Sequence, residues 1–355
     1  MRKLTVLLVI ALMLSLLAGC IGTPVIYHED CTCPTSGQVN NPNAPVVEGS
    51  LKTGLAIITG IGKSKSAAAD ADGAADYDVT IVAVLVDDHG VIADCIIDGI
   101  ATSAKFNTAG SFTSDVGAAV QTKNELGANY NMVAYGGAIA EWDAQAAALA
   151  AYAVGKTVDE LKNGAIDETG YAPEGSDLAS SATIYLGGYV SAIEKAVASA
   201  QHLGAQAGDT LKLATNASLD SSAAATAEKA GTAQLDVDVT ALTVKDGIIT
   251  SCIIDSVQAK VSFDATGAVT TDLSSPVLTK NELGTNYGMV AWGGAAYEWN
   301  EQAASFASYV TGKTAAEVAG IAVNEGTKPT DADLSASVTI AIGGFQALIA
   351  KALQG

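Results

Sequence analysis

The feature that most constrains this chain is an internal duplication. Lys123-Asn124-Glu125-Leu126-Gly127 recurs as Lys280-Asn281-Glu282-Leu283-Gly284, a separation of 157 residues. The same separation pairs Cys95 with Cys252, Asp98 with Asp255, Tyr130 with Tyr287, Trp142 with Trp299 and Gln145 with Gln302. It also pairs Gly155-Lys156-Thr157 with Gly312-Lys313-Thr314, and near the end of each copy one deletion shortens it to 156, matching Asp177 and Thr183 to Asp333 and Thr339. Solenoid units recur every 20 to 50 residues or so, so a period this long denotes two tandem domains. The length of 355 residues suggests the same number, at about 150 residues per domain. The copies are placed at 50–203 and 204–355.

Each copy opens with strand signals after a small polar and alanine-rich prelude. Asp236–Val244 alternates in part, and Ile248–Asp255 follows Lys245-Asp246-Gly247, whose Asp-Gly pair favours a tight hairpin. The first copy offers Asp78–Val86 and Val91–Asp98 around Asp87-Asp88-His89-Gly90, one residue longer. A further pair in the second copy, Lys260–Phe263 and Ala268–Thr271, brackets Asp264-Ala265-Thr266-Gly267 and extends the meander. The period then becomes helical: Ile139, Trp142, Leu149 and Tyr152 share a face, as do Trp299, Phe306 and Val310, ending before Gly155 and Gly312. The expected fold is α+β, two tandem homologous domains, each an antiparallel sheet packed with helices. Trp142 and Trp299 read as core residues first and as pocket linings second. The Lys-Asn-Glu-Leu-Gly segment reads as a local cap, or as a loop beside a ligand.

The amino terminus bears on the compartment. Arg2 and Lys3 precede an unbroken apolar run, Leu4–Leu17, which suits a secretion signal better than a membrane span. The run ends in Leu17-Ala18-Gly19-Cys20. This resembles the lipobox of bacterial lipoproteins, which implies removal of residues 1–19, lipidation of Cys20 and attachment to the extracytoplasmic face of the cell membrane. Residues 20–49, rich in Thr, Ser, Gly, Asn and Pro, read as a flexible tether. Cys31 and Cys33 within it are too close for an easy mutual disulfide, and no His or Cys cluster nearby completes a metal site.

Composition and spacing exclude several functions. With 18 basic against 38 acidic residues and a net charge of -20, the surface repels a phosphate backbone, so nucleic acid is not a partner. The Gly-Lys-Thr triplets lack the first phosphate-loop glycine, with Ala150 and Ala307 in its place, and they follow a helix instead of opening one. His28, His89 and His202 are the only histidines and none recurs in the second copy, so neither a repeated metal centre nor a repeated histidine triad is available. No residue stands out as catalytic. Cys95 and Cys252 sit at equivalent strand positions and read as buried thiols.

The closing segments carry the functional signal. Asp177-Leu178-Ala179-Ser180-Ser181-Ala182-Thr183 precedes a helix containing Val190, Ile193 and Val197. Asp333-Leu334-Ser335-Ala336-Ser337-Val338-Thr339 precedes one containing Phe345, Leu348 and Ile349. These segments, with the strand-Asp-Gly-strand opening, resemble the extracytoplasmic FMN-binding domain family, whose members read Asp-x-x-Ser/Thr-Gly-Ala-Thr before a helix. The resemblance implies FMN held at Asp177, Ser180, Ser181 and Thr183 and at Asp333, Ser335, Ser337 and Thr339, with the final threonine as phosphoester acceptor. It also implies electron transfer between redox partners. Ser181 and Ser337 replace the usual glycine, which counts against the covalent bond; hydroxyls and amides at a helix start remain able to hold a phosphate without one. The same residues also suit a plain helix cap. The competing reading is a surface lipoprotein that binds another ligand or serves a structural role, having lost its flavin.

Overall fold

Strand pairing in each copy follows chain order, since consecutive strands usually lie side by side. The computed structural model describes residues 49–354. The expected signal segment, Cys20, Cys31, Cys33 and almost all of the expected tether lie outside the described residues. In the first copy β1 (Lys52–Gly60), β2 (Gly73–Val86) and β3 (Ile92–Phe106) form an antiparallel meander, with Thr59 opposite Val79 and Val84 opposite Cys95. Helices α1 (Lys123–Leu126), α2 (Met132–Gly136), α3 (Trp142–Ala153), α4 (Val158–Ala165) and α5 (Gly187–Ala198) follow.

The second copy repeats the plan. Strands β4 (Thr210–Ser218), β5 (Gly231–Lys245) and β6 (Ile248–Phe263) form the second meander. They are followed by α6 (Lys280–Leu283), α7 (Met289–Gly293), α8 (Trp299–Val310), α9 (Ala315–Ala319), α10 (Ala332–Ser335) and α11 (Gly343–Gln354). The Asp-Gly hairpin forms as expected: Asp246 and Gly247 both take positive φ, 51° and 78°, which matches the twist of the strands it joins. The fold is therefore α+β, with two similar sheet-and-helix units.

Strand composition follows from what covers each face. In β5 the first half alternates, with Ala233, Leu235, Val237 and Val239 buried and Thr232, Gln234, Asp236 and Asp238 half-buried on the opposite face. The second half, Thr240–Thr243, is buried on both faces and loses the alternation. One face of each sheet meets the other sheet: Ile57, Val79, Ile81, Leu85 and Phe106 share a continuous core with Leu211, Leu235, Val237, Val261 and Phe263. The opposite faces carry the helices. Val82, Val84 and Ile97 pack under Trp142, Leu149 and Ile193, while Leu242 and Ile254 pack under Trp299, Phe306 and Leu348. The result is four layers, helices outside and two sheets inside.

Three expectations need correction. Each meander has a first strand, β1 or β4, inside what reads as a prelude. Segment 260–263 belongs to β6, and 268–271 returns to it only through an isolated Phe263–Val269 bridge and local bonds to Ser262. Ile139 lies outside α3 and is exposed, so the helix starts at Trp142. The two cysteines are buried free thiols, and burial pushes both up to about 12.

Candidate functional site

The Lys-Asn-Glu-Leu segment is a short helix fixed by a reciprocal cap. Thr122 Oγ1 accepts from Glu125 N at 3.2 Å, and Glu125 Oε2 accepts from Thr122 N at 2.9 Å; Thr279 and Glu282 repeat the pattern at 3.2 and 2.9 Å. Asp98, buried in β3, accepts from the Asn124 amide at 3.1 Å, as Asp255 does from Asn281. Burial raises both carboxyls, Asp255 to about 6. Lys123 reaches under the helices: its Nζ lies 5.0 Å from the Trp142 ring centre, 5.6 Å from that of Tyr130 and 3.7 Å from Asp78. Lys280 is placed likewise, 4.7 Å from Trp299 and 5.3 Å from Tyr287. Burial lowers the pKa of both ammonium groups, while the aromatic faces stabilise the cations.

The closing segments are held from the same helices. Gln145 on α3 is fully buried; its Nε2 donates to Ala140 O at 2.7 Å. Its Oε1 accepts from Thr183 N at 2.8 Å, Ile184 N at 3.2 Å and Thr183 Oγ1 at 3.3 Å. Gln302 on α8 repeats this with Tyr297 O, Thr339 N, Ile340 N and Thr339 Oγ1 at 2.9, 2.8, 3.2 and 3.1 Å. Each threonine is exposed, donates its hydroxyl proton inward and leaves the Oγ1 lone pairs unclaimed by the protein. The amides of Thr183 and Ile184 point to glutamine, so they are not directed at a phosphate.

The remaining candidates behave differently. Asp177 and Asp333 are exposed, and Asp177 makes no capping bond. Ser176 caps the turn in the first copy by accepting from Ala179 N, and Asp331 caps α10 in the second. The hydroxyls of Ser180, Ser335 and Ser337 donate to carbonyls of the local turn. Ser181 is exposed with φ -119° and ψ -21°, a conformation any residue adopts, so serine in the glycine position causes no backbone strain. Thr183 does not cap α5, which starts at Gly187 behind an N-cap at Leu186 with no side-chain bond. Of the eight residues, only Thr183 and Thr339 are tied by their side chains to a different element.

A further segment held at the same helix starts does not stand out in the sequence. Glu141, immediately before α3, accepts from Met132 N and Val133 N at 2.8 and 3.2 Å; Glu298 does the same for Met289 and Val290 at 2.8 and 3.1 Å. The short helices so fixed project Tyr135 and Trp292, which are 88% and 87% exposed. Their equivalence at the shared offset, each followed by Gly-Gly, was the available signal. Thus the N-terminal turn of α3 or α8 anchors both the aromatic-bearing segment and the threonine. A surface groove of about 410 Å³ lies elsewhere, between Asp94–Ile97 and the Asp143–Val154 side of α3, and contains none of the eight candidates. Among the described residues no cluster of three or more His, Cys, Asp or Glu is arranged for a metal ion, and no helix is long and apolar enough to cross a membrane. The chain matches no family model, no curated protein and no solved structure.

Proposed function

We propose that the chain is a lipid-anchored extracytoplasmic electron carrier with two FMN sites, one at Thr183 and one at Thr339. The observation that carries this reading is the duplicated placement of the threonine: an exposed residue whose hydroxyl and backbone amide are both held by one buried glutamine. Because those amides are already used, a phosphate here would be held through Oγ1: transfer from an activated flavin phosphate, whose leaving group departs with the hydroxyl proton, would give up the Oγ1 bond to glutamine and leave the backbone amides as the tie to α3 or α8. The carrier reading therefore takes covalent attachment at Oγ1 as its form of binding. Bound FMN would supply the redox chemistry. The chain's own contribution would be to fix the acceptor residue against α3 or α8, whose first turn also holds the aromatic-bearing segment. The acidic composition and the Cys20 lipobox suit a carrier working between a membrane donor and an external acceptor.

A second reading, a surface lipoprotein of the same fold without flavin, is favoured by Ser181 and Ser337 in place of the usual glycines. The two are separated by the visible spectrum of the full chain, produced in a host that flavinylates a control domain. Flavin absorbance that falls by half in Thr183→Ala and in Thr339→Ala supports the carrier. A colourless protein, alongside a yellow control, supports the second reading and sinks the first.

A further inference from the structure

Several contacts between the two repeats come in reciprocal pairs, beside others that are not exchanged, such as Tyr77 Oη to Ala233 O at 2.8 Å. Glu125 Oε1 binds Lys351 across the sheets, and its counterpart Glu282 Oε1 binds Lys195, the counterpart of Lys351, at 2.7 Å. Ala225 N donates to Gly110 O at 2.9 Å, and Ala67 N donates to Gly267 O at 2.8 Å. The isolated bridges Val120–Ala217 and Thr59–Val277 are a third exchanged pair. Phe106 and Phe263, equivalent residues at the ends of β3 and β6, stack on each other with centroids 3.9 Å apart and planes 3° apart. A residue that touches its own counterpart lies on the axis relating the copies, and pairs exchanged about it define an isologous interface.

We infer that the two repeats pair through equivalent faces about a local twofold axis, as two copies of one subunit would. The partner each face fits is the homologous repeat, and this chain is such a pair joined in tandem. The repeated Lys-Asn-Glu-Leu-Gly motif then has a purpose beyond capping. One glutamate oxygen closes the cap and the other reaches the partner repeat, so the motif couples the fold of one copy to the docking of the other. The centre of the interface is apolar, with Ile57, Val79 and Ile81 facing Leu235, Val237 and Val261, as in obligate dimers. Association therefore does not depend on the peptide that links the copies.

The full chain tests this when a protease site is inserted between Ala207 and Gly208, both exposed in the link between α5 and β4. After complete cleavage the halves are expected to run as one particle of the uncut mass by light scattering. They should part only when denaturant is added. Neutralising Lys351→Met or Lys195→Met in the cut chain should weaken association by about two- to fivefold, equally for the two, and adding Glu125→Gln or Glu282→Gln, which keeps an oxygen for the cap, should cause no further loss in the respective pair. Separation of the unmodified cut halves into half-mass species in the absence of denaturant overturns the inference. So does an effect confined to one of the two ion pairs.

Discussion

Replacing Phe106 and Phe263, singly and together, probes whether the two repeats fold as one unit. Both rings are fully buried, they stack at 3.9 Å, and Phe112 meets Phe263 edge-on at 5.6 Å. Gly73 and Gly231 make room for them: a Cβ at either position would lie about 2.4 or 2.5 Å from a phenyl carbon, so neighbouring atoms have little freedom to refill the space. Truncating either ring to alanine should therefore cost about 3–5 kcal/mol, from lost transfer energy and an unrelaxed cavity. The second truncation acts on a ring that has already lost its stacking partner. The double variant should thus fall short of the sum by about 0.5–1.5 kcal/mol, the range for an aromatic pair. The assay is urea unfolding of the four proteins, followed by far-ultraviolet circular dichroism and by tryptophan fluorescence. Trp142 lies in the first repeat and Trp292 and Trp299 in the second, so coincident transitions report a single cooperative unit. Strict additivity, or two transitions of which only one responds to each substitution, would refute the reasoning.

Other outcomes follow from the same contacts. Gln145→Leu leaves Thr183 N, Ile184 N and Ala140 O without their partner. It should cost about 2 kcal/mol and speed amide exchange at Thr183 and Ile184, while exchange in β2 keeps its protection. Asp255 has a folded pKa of about 6, above the ordinary 3.8, so the folded chain binds more protons than the unfolded one between these values. Its contribution is full below the unfolded value and is lost as pH rises through about 6. Relative to wild type, Asp255→Asn should therefore gain up to about 3 kcal/mol between pH 4 and pH 7, read by denaturation at each pH. Cys95 and Cys252 should resist iodoacetamide in the native protein and react after unfolding, as peptide masses would record; rapid native labelling would contradict their burial.

The duplication, the hairpin at Asp246-Gly247 and helices α3, α5, α8 and α11 were legible because each rests on a local rule: a turn that needs positive φ, or an apolar face at helical spacing. The first strands were not. In β1, Lys-Thr-Gly-Leu-Ala-Ile-Ile-Thr-Gly is buried on both faces along most of its length, so it has no alternation to read, and its glycines look like loop residues. In β4, Thr, Lys and Asn interrupt the apolar positions. The site divides similarly. Thr183 and Thr339 stand out through a motif, whereas their anchors Gln145 and Gln302 sit on the apolar side of a helix and gain meaning only when the closing segment folds onto them. The glutamate of Lys-Asn-Glu-Leu-Gly reads as a cap from spacing alone; its second bond, to a lysine of the other repeat, depends on how two distant sheets pack.

The most direct measurement of the carrier is the intact mass of the denatured full chain, produced where flavin transfer is active, in wild type and in the Thr183→Ala, Thr339→Ala and double variants. Two flavin adducts are expected on the wild-type chain, one on each single variant and none on the double. A wild-type chain without adducts, or a double variant that keeps them, would contradict the carrier reading.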